Sequence, residues 1–158
     1  MADDYLVADT AVVSFLTKHS PHCEAYQALI GDCRLAVSFQ THAELLSCDY
    51  GPKRRQRLDE LLTVTLLLPH TEATNVRYAR VATARSELRR AHRPGEGAQD
   101  GDMWIISSAA EHDLPLLSHD DNQVHLGRVV GLRVLTCLDG LRGGNPPLSD
   151  TRDLSSGS

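Results

Sequence analysis

Four acidic residues could support chemistry on a phosphate, because of their side-chain type and their positions in the sequence. Two follow short apolar segments and two lie in segments of helical character; they are Asp9, Glu44, Asp102 and Asp120. Carboxylates that converge raise one another's pKa unless a cation lies among them. Hard divalent ions such as Mg²⁺ or Mn²⁺ suit oxygen ligands, and the absence of paired His or Cys disfavours zinc. The chemistry predicted for such a centre is hydrolysis of a phosphodiester bond.

Each of these acids also has an ordinary structural interpretation. Asp9 and Asp102 can cap helices, and Asp120 can stabilise a turn. Glu44 can complete a capping box with Thr41. Taken singly, the structural interpretation is the simpler one for each residue. A functional site is favoured only if the four acids share one location. The predicted strands and helices indicate whether they do.

Five short apolar segments, separated by helical patterns, predict an α/β fold. The predicted strands are residues 5–8, 34–38, 64–68, 114–118 and 132–136. Strands that alternate with helices indicate an α/β sandwich around a mostly parallel sheet. Ligands bind such sheets beyond the carboxyl ends of the strands, where the strand order reverses. Asp9 and Asp120 follow two of these strands, and are therefore expected at the same edge.

Residues 71–91 are predicted to form one long amphipathic helix. Its inward face is assigned to apolar side chains and its outward face to arginines; the inward residues are Val76, Ala79, Ala82 and Leu88. A loop rich in Gly and Pro follows over residues 92–101. The next helix is expected to start near Asp102.

Length and composition indicate one globular domain. The chain has 158 residues, 41% hydrophobic, and a formal net charge of −5. That charge disfavours a general nucleic-acid coat protein but is compatible with a carboxylate-rich enzyme. The folded domain is assigned to residues 1–142, and the tail, 143–158, is predicted to be disordered because it is polar and rich in Pro, Gly and Ser.

Sequence features also predict where the protein works. The first residues lack the basic and apolar regions of a secretory signal, and no apolar run approaches the roughly 20 residues of a membrane span. The four cysteines lack the spacing of a zinc site. A reduced cytoplasmic protein with no membrane association is expected.

The segments that carry the acids resemble a known family. "VADTAVVSFL", "SFQTHAELL", "DMWIISSAAEHDLPLLSHDDN" and "GLRVL" are similar, in this order, to the motifs of PIN-domain ribonucleases, especially the VapC-type toxins of toxin–antitoxin pairs. The resemblance extends from Tyr5 to Thr136. Its third motif is the most specific, because an aspartate opens an Ile/Ala-rich helix that leads to an apolar strand and Ser-x-Asp.

The resemblance implies a five-stranded sheet of order 3-2-1-4-5, with the reversal between the first and fourth strands. By motif position, the family's acidic metal-binding quartet corresponds to Asp9, Glu44, Asp102 and Asp120, with Mg²⁺ or Mn²⁺ as the expected cofactor. Thr10 and Ser118 match hydroxyl positions that hold carboxylates or water in place.

The sequence departs from the family pattern at two places. Ala11 stands where the family often has a polar residue, and Asn122-Gln123 replaces a frequent Asp-Phe pair. The metal contact therefore lies among Asp120, Asp121 and Asn122. Asp120 is the preferred ligand, with Asn122 as a supporting contact.

The resemblance implies an endoribonuclease that acts on accessible single-stranded RNA, with a cognate antitoxin and homodimers as expected partners. Candidate RNA contacts are Arg89, Arg90 and Arg93, beside the loop before Asp102. A PIN nuclease that matures RNA without an antitoxin is the nearest alternative. A non-catalytic PIN module is expected to lack one of the acids. A receiver domain needs an acidic pair after its first strand, where only Asp9 is found.

Overall fold

The computed structural model describes residues 4–141 and contains the predicted parallel sheet. Its strands are β1 (Tyr5–Ala8), β2 (Arg34–Ser38), β3 (Leu66–Leu68), β4 (Leu116–Leu117) and β5 (Val134–Leu135). They are hydrogen-bonded in the order β3-β2-β1-β4-β5, and every neighbouring pair is parallel. The predicted fold class and strand order are confirmed.

Helices connect the strands and cover both faces of the sheet. Within residues 4–141 they are α1 (Thr10–Leu16), α2 (Pro21–Ile30), α3 (Phe39–Ser47), α4 (Pro52–Thr63), α5 (Glu72–Arg90), α6 (Asp100–Glu111), α7 (Asp121–Val129) and α8 (Leu138–Leu141). Because both faces are covered, the strands are nearly continuous apolar runs rather than alternating ones.

The central strand, β1, marks the point where the strand order reverses. Val7 pairs with Ala36 of β2 on one side and with Leu116 of β4 on the other. The chain lays down β2 and β3 on one side of β1 and then returns to place β4 and β5 on the opposite side. The carboxyl ends of β1 and β4 therefore lie side by side, at the position where ligands bind in sheets of this kind.

Two hydrophobic cores lie on opposite faces of the sheet. Successive strand residues point to opposite faces, so Val7 joins one core and Leu6 the other. The first core contains buried residues of α5, α6 and α7: Val81, Leu88, Met103, Ile106, Val124 and Leu126. The second contains buried residues of α1, α2, α3 and α4: Val12, Val13, Tyr26, Leu45 and Leu58.

Two arginines attach α4 to neighbouring helices. Arg54 donates from Nη2 to Ser14 Oγ (2.5 Å) and from Nε to Thr17 Oγ1 (3.1 Å). Arg55 donates to the Cys48 carbonyl (2.6 Å), and both guanidinium groups lie over the ring of Tyr50. These two arginines of α4 therefore stabilise the fold.

Polar contacts near both ends of α6 hold it against α5. Thr71 and Thr74 donate from their hydroxyls to the carboxylate of Glu111, at the end of α6. Further along α5, Arg85 forms an ion pair of 3.4 Å with Asp100, the first residue of α6. The two helices therefore run antiparallel, and the contacts hold the start of α6 in place.

The predicted inward face of α5 is partly wrong. Val76 is 53% exposed and Ala79 is also exposed, whereas Val81 and Leu88 are buried. Buried or half-buried positions recur every three to four residues, as expected for one helix face; they are Thr74, Tyr78, Val81, Arg85 and Leu88. Two polar residues occupy this face because they bind Glu111 and Asp100, so apolar residues alone gave the wrong phase.

The predicted capping box at the start of α3 is also wrong. The N-cap is Ser38, whose Oγ accepts a hydrogen bond from Thr41 N (3.0 Å). Glu44 lies one turn further along and is therefore available for other contacts.

The predicted tail, residues 143–158, lies outside the described residues. Among residues 4–141, none of the helices combines the length and the apolar character required to span a bilayer.

Candidate active site

Asp9 lies at the carboxyl end of β1 and is fixed by three hydrogen bonds. Its Oδ1 accepts from Val12 N (2.8 Å), which caps α1. Its Oδ2 accepts from Ser118 Oγ (2.7 Å) and from His119 N (3.0 Å) at the end of β4. The side chain is only 3% exposed. Asp9 thus joins the ends of the two strands between which the order reverses.

Burial and a neighbouring acid change the protonation of Asp9. Burial is the main cause that raises its pKa to about 6, and the charge of Asp120 acts in the same direction. The hydrogen bonds from Val12, Ser118 and His119 oppose this shift, because they stabilise the carboxylate. Asp9 is therefore a carboxylate whose charge is costly and only partly compensated.

Asp120 is the exposed N-cap of α7. Its Oδ1 accepts from Gln123 N (2.9 Å), and its own N–H donates to Ser118 Oγ (3.1 Å). Ser118 therefore contacts both Asp9 and Asp120 at the end of β4.

Asp102 lies in the first turn of α6, which begins two residues earlier than predicted. Its Oδ2 accepts from Gln99 N (2.9 Å), and its Oδ1 lies 3.4 Å from Gln123 Nε2. The pKa of Asp102 is raised, first by burial and then by the charges of Asp120 and Glu44, against the opposing effect of the bond from Gln99.

Glu44 reaches the same region from α3. Its carboxylate accepts from Thr10 Oγ1 and from Gln40 Nε2, the latter at 2.8 Å. A β-carbon built on Gly101 would lie 2.9 Å from Glu44 Oε1. The carboxylate therefore approaches the backbone of α6 at a point where only glycine leaves room for it.

The structure thus brings the four predicted acids to one edge of the sheet. Asp120 raises the pKa of Asp9 and of Asp102, and Glu44 raises that of Asp102. Among residues 4–141, none of the four acids forms an ion pair with Lys, Arg or His.

The four side chains offer carboxylate oxygens, the kind of ligand that hard divalent cations bind. Within residues 4–141, no three or more His, Cys, Asp or Glu side chains are arranged to hold an ion by themselves. Mg²⁺ commonly binds through one or two carboxylates and keeps several waters. Mutually repelling carboxylates without a basic partner fit a cation of this kind.

Of the other predicted site residues, two form hydrogen bonds to the acids and two have other partners. Thr10 and Ser118 hydrogen-bond to Glu44 and Asp9, respectively. Asp121 instead pairs with His125 (3.4 Å). Asn122 is packed against the loop before α6, because a β-carbon on Gly97 would lie 2.8 Å from its Nδ2.

The three candidate RNA-binding arginines lie at the end of α5 and in the following loop. All three are exposed. Arg89 donates from Nε to the Glu96 carbonyl (3.0 Å), and Arg90 donates to the Ser86 carbonyl (3.4 Å). Among the described residues, no hydrogen bond or ion pair connects Arg89, Arg90 or Arg93 to the four acids.

Gln123 is a site residue that the sequence analysis did not identify. It is 1% exposed, and it bridges Asp120 through its backbone N–H and Asp102 through its side chain. Its Oε1 is buried without a hydrogen-bond partner among the described residues. The signal was present, because Asp120 and Gln123 have the spacing of a capping box.

A family comparison agrees with this architecture. The PIN domain model matches residues 6–129. The chain belongs to the PIN domain family. This PIN domain has no match among curated proteins.

Solved structures share the fold. The PIN domain is similar to a chain of VapBC-5 from Mycobacterium tuberculosis, a member of the VapBC family of toxin–antitoxin systems, with 27% identity and a TM-score of 0.56 over 84% of this chain and 97% of that chain. A chain of Rickettsia felis VapBC2, bound to a promoter DNA fragment, has 15% identity and a TM-score of 0.63 over 84% and 98%. A chain of Haemophilus influenzae VapBC-1 has 22% identity and a TM-score of 0.61, and the match covers 84% of this chain and 97% of that chain.

Proposed function

We propose that this PIN domain is a metal-dependent endoribonuclease and the toxin of a toxin–antitoxin pair. The observation that carries the proposal is the convergence of Asp9, Glu44, Asp102 and Asp120 at the edge where β1 and β4 end. A purely structural role for the acids does not account for repulsion among them. A non-catalytic module is disfavoured because all four acids are present.

The four acids would hold Mg²⁺ or Mn²⁺, which, when bound, supplies charge stabilisation at a phosphate and activation of water. The protein's own contribution is to position the carboxylates. Ser118 and the His119 N–H orient Asp9, and Thr10 orients Glu44. Gln123 sets the separation of Asp102 from Asp120.

The toxin assignment rests on the similarity to VapBC complexes. An antitoxin is the expected partner because VapBC-5, one of the structurally similar proteins, is a member of a family of toxin–antitoxin systems. We also propose a homodimer acting on cytoplasmic RNA, with the exposed arginines Arg89, Arg90 and Arg93 as phosphate contacts.

The test of the nuclease is cleavage of total cellular RNA by the full-length protein with Mn²⁺, followed by mapping of the cut ends. We expect discrete cuts that are lost with EDTA and in Asp102→Asn. Asp100→Asn is the matched control, because Asp100 lies in the same turn but is 76% exposed, and the amide oxygen of asparagine can still accept a hydrogen bond from Arg85. Equal cleavage by wild type and a folded Asp102→Asn protein would refute the metal assignment.

A second measurement separates a toxin from an RNA-maturation enzyme. Expression of the wild-type chain in bacteria is expected to arrest growth, and Asp102→Asn is expected to relieve the arrest. Normal growth with wild-type protein that cleaves RNA after purification would contradict the toxin assignment.

A further inference from the structure

Four rings form a compact cluster beside the carboxylates. We call Phe15, His22, Tyr26 and His119 the ring cluster. The centroids of His22 and Phe15 are 4.7 Å apart, and His119 lies 4.9 Å from each of them. Tyr26 lies 5.6 Å from His119. These separations are those of interacting rings.

The ring cluster is attached directly to the edge of the sheet where the four acids lie. The Tyr26 hydroxyl donates to the Ser118 carbonyl (3.2 Å) and lies 2.6 Å from His119 Nδ1. The backbone N–H of His119 donates to Asp9 Oδ2 (3.0 Å). If an RNA phosphate is held at the carboxylates, the base of the same nucleotide can therefore reach the rings.

The rings differ in their access to solvent. Tyr26 is fully buried, whereas Phe15, His22 and His119 are each only partly buried. Tyr26 therefore packs against the buried side of the cluster, and the other three rings form the side that faces solvent. Among the described residues, no hydrogen bond joins the side chain of Phe15, His22 or His119 to the four acids, and His119 contacts Asp9 through its backbone N–H.

We propose that Phe15, His22 and His119 form a subsite for an unpaired base of the nucleotide next to the scissile phosphate. This rests on the proposed nuclease function, which places that phosphate at the acids. Unpaired bases are commonly recognised by stacking on aromatic and histidine rings, which present flat faces and tolerate different bases. The subsite would favour single-stranded over paired RNA.

The test compares two ligands of equal length and charge in EDTA, where cleavage does not interfere. One is a fluorescent oligouridylate of ten nucleotides, and the other has the same backbone with abasic positions. Wild type is expected to bind the oligouridylate about tenfold more tightly. His22→Ala is expected to lose most of this preference, and His19→Ala, an exposed histidine in the preceding turn, is expected to keep it.

Phe15→Leu is the second variant, because leucine preserves apolar volume against the core if His22→Ala lowers stability. Wild type that binds both ligands equally refutes the subsite while leaving the nuclease proposal intact. Wild type that binds neither ligand also refutes the subsite, whereas the nuclease proposal is judged separately by Mn²⁺-dependent cleavage of RNA. A preference that persists in the two folded variants overturns the subsite, and weaker binding of a protein partner by those variants would then assign the rings to that interface.

Discussion

At the scale of single residues, the carboxylate of Glu44 lies close to the backbone of Gly101. A β-carbon on residue 101 would lie 2.9 Å from Glu44 Oε1, which is closer than a normal contact allows. Gln40 would also be affected, since its Nε2 would lie 3.2 Å from that carbon. The atoms that must move are the ends of flexible side chains, so a methyl group displaces the carboxylate without disturbing the core.

Gly101→Ala is therefore expected to separate activity from stability. Cleavage should fall at least tenfold, because Glu44 is pushed away from Asp102. The free energy of unfolding should stay the same or rise by up to about 1 kcal/mol, because alanine is the better helix former. RNA cleavage and urea unfolding are the measurements. Unchanged cleavage in the variant would show that this approach is not required.

The raised pKa of Asp9 predicts a pH dependence. A carboxyl with a pKa of about 6 is mostly protonated below that pH, whereas an ordinary aspartate is still ionised there. Since metal ligation needs the ionised form, Mn²⁺ affinity and cleavage should both decline as the pH falls from 7 to 5. Titration calorimetry across this range is the check; affinity that is constant from pH 7 to 5 would contradict the assignment of Asp9.

At the scale of elements, Glu111 joins α6 to the start of α5. Its side chain is 12% exposed and accepts from the hydroxyls of Thr71 and Thr74. Burial raises the pKa of Glu111, but the two hydroxyl bonds, with the charges of His112 and His70, outweigh it and hold the pKa below its usual value. The ionised form therefore stabilises the folded state.

Glu111→Gln is expected to lower the free energy of unfolding by about 1–2 kcal/mol at pH 7, the contribution of charge-assisted hydrogen bonds. Because the folded pKa is the lower one, the wild-type advantage is complete above the unfolded pKa of about 4.5 and disappears as the pH falls through the folded value. Thermal unfolding at pH 7 and pH 3.5 tests this. The exposed Glu87→Gln is the control, and equal losses in both variants would rule out a specific contact.

Element boundaries were predictable where local signals were strong. Tyr5–Ala8 and Arg34–Ser38 have the predicted bounds, because each is an apolar run with a clear polar stop. The phase of α5 was not predictable from apolar residues, because Thr74 and Arg85 lie on its buried or half-buried face through partners on α6. Those partners are distant in sequence and leave no local pattern.

At the scale of the whole molecule, the four acids come from separate segments between β1 and α7. A cation that binds them interacts with the native arrangement only, so it stabilises the folded state by mass action. At 100 times the dissociation constant the gain is roughly 2.7 kcal/mol. Mn²⁺ is therefore expected to raise the Tm of wild type.

Asp102→Asn should show much less of this increase, and Asp100→Asn should show all of it. Calorimetric scans with and without Mn²⁺, followed by excess EDTA, provide the test. The same Mn²⁺-dependent increase in Asp102→Asn as in wild type would indicate that the ion binds elsewhere.

The location of the site was predictable, whereas several of its details were not. Asp9 and Asp120 follow strands, so the topology of a parallel sheet alone brings them near each other. The approach of Glu44 to Gly101 and the meeting of Phe15 with His119 depend on how helices pack. Such contacts leave no spacing signal along the chain.

Two of the acids also serve as helix caps, since Asp9 accepts from Val12 N and Asp120 from Gln123 N. Folding and the proposed chemistry therefore depend on the same two positions. A descendant that lost the chemistry would still need a cap there. We expect inactive relatives to carry Asn, Ser or Thr at these positions rather than Ala or Leu. The two cap positions would therefore stay polar even in a relative that no longer cleaves RNA.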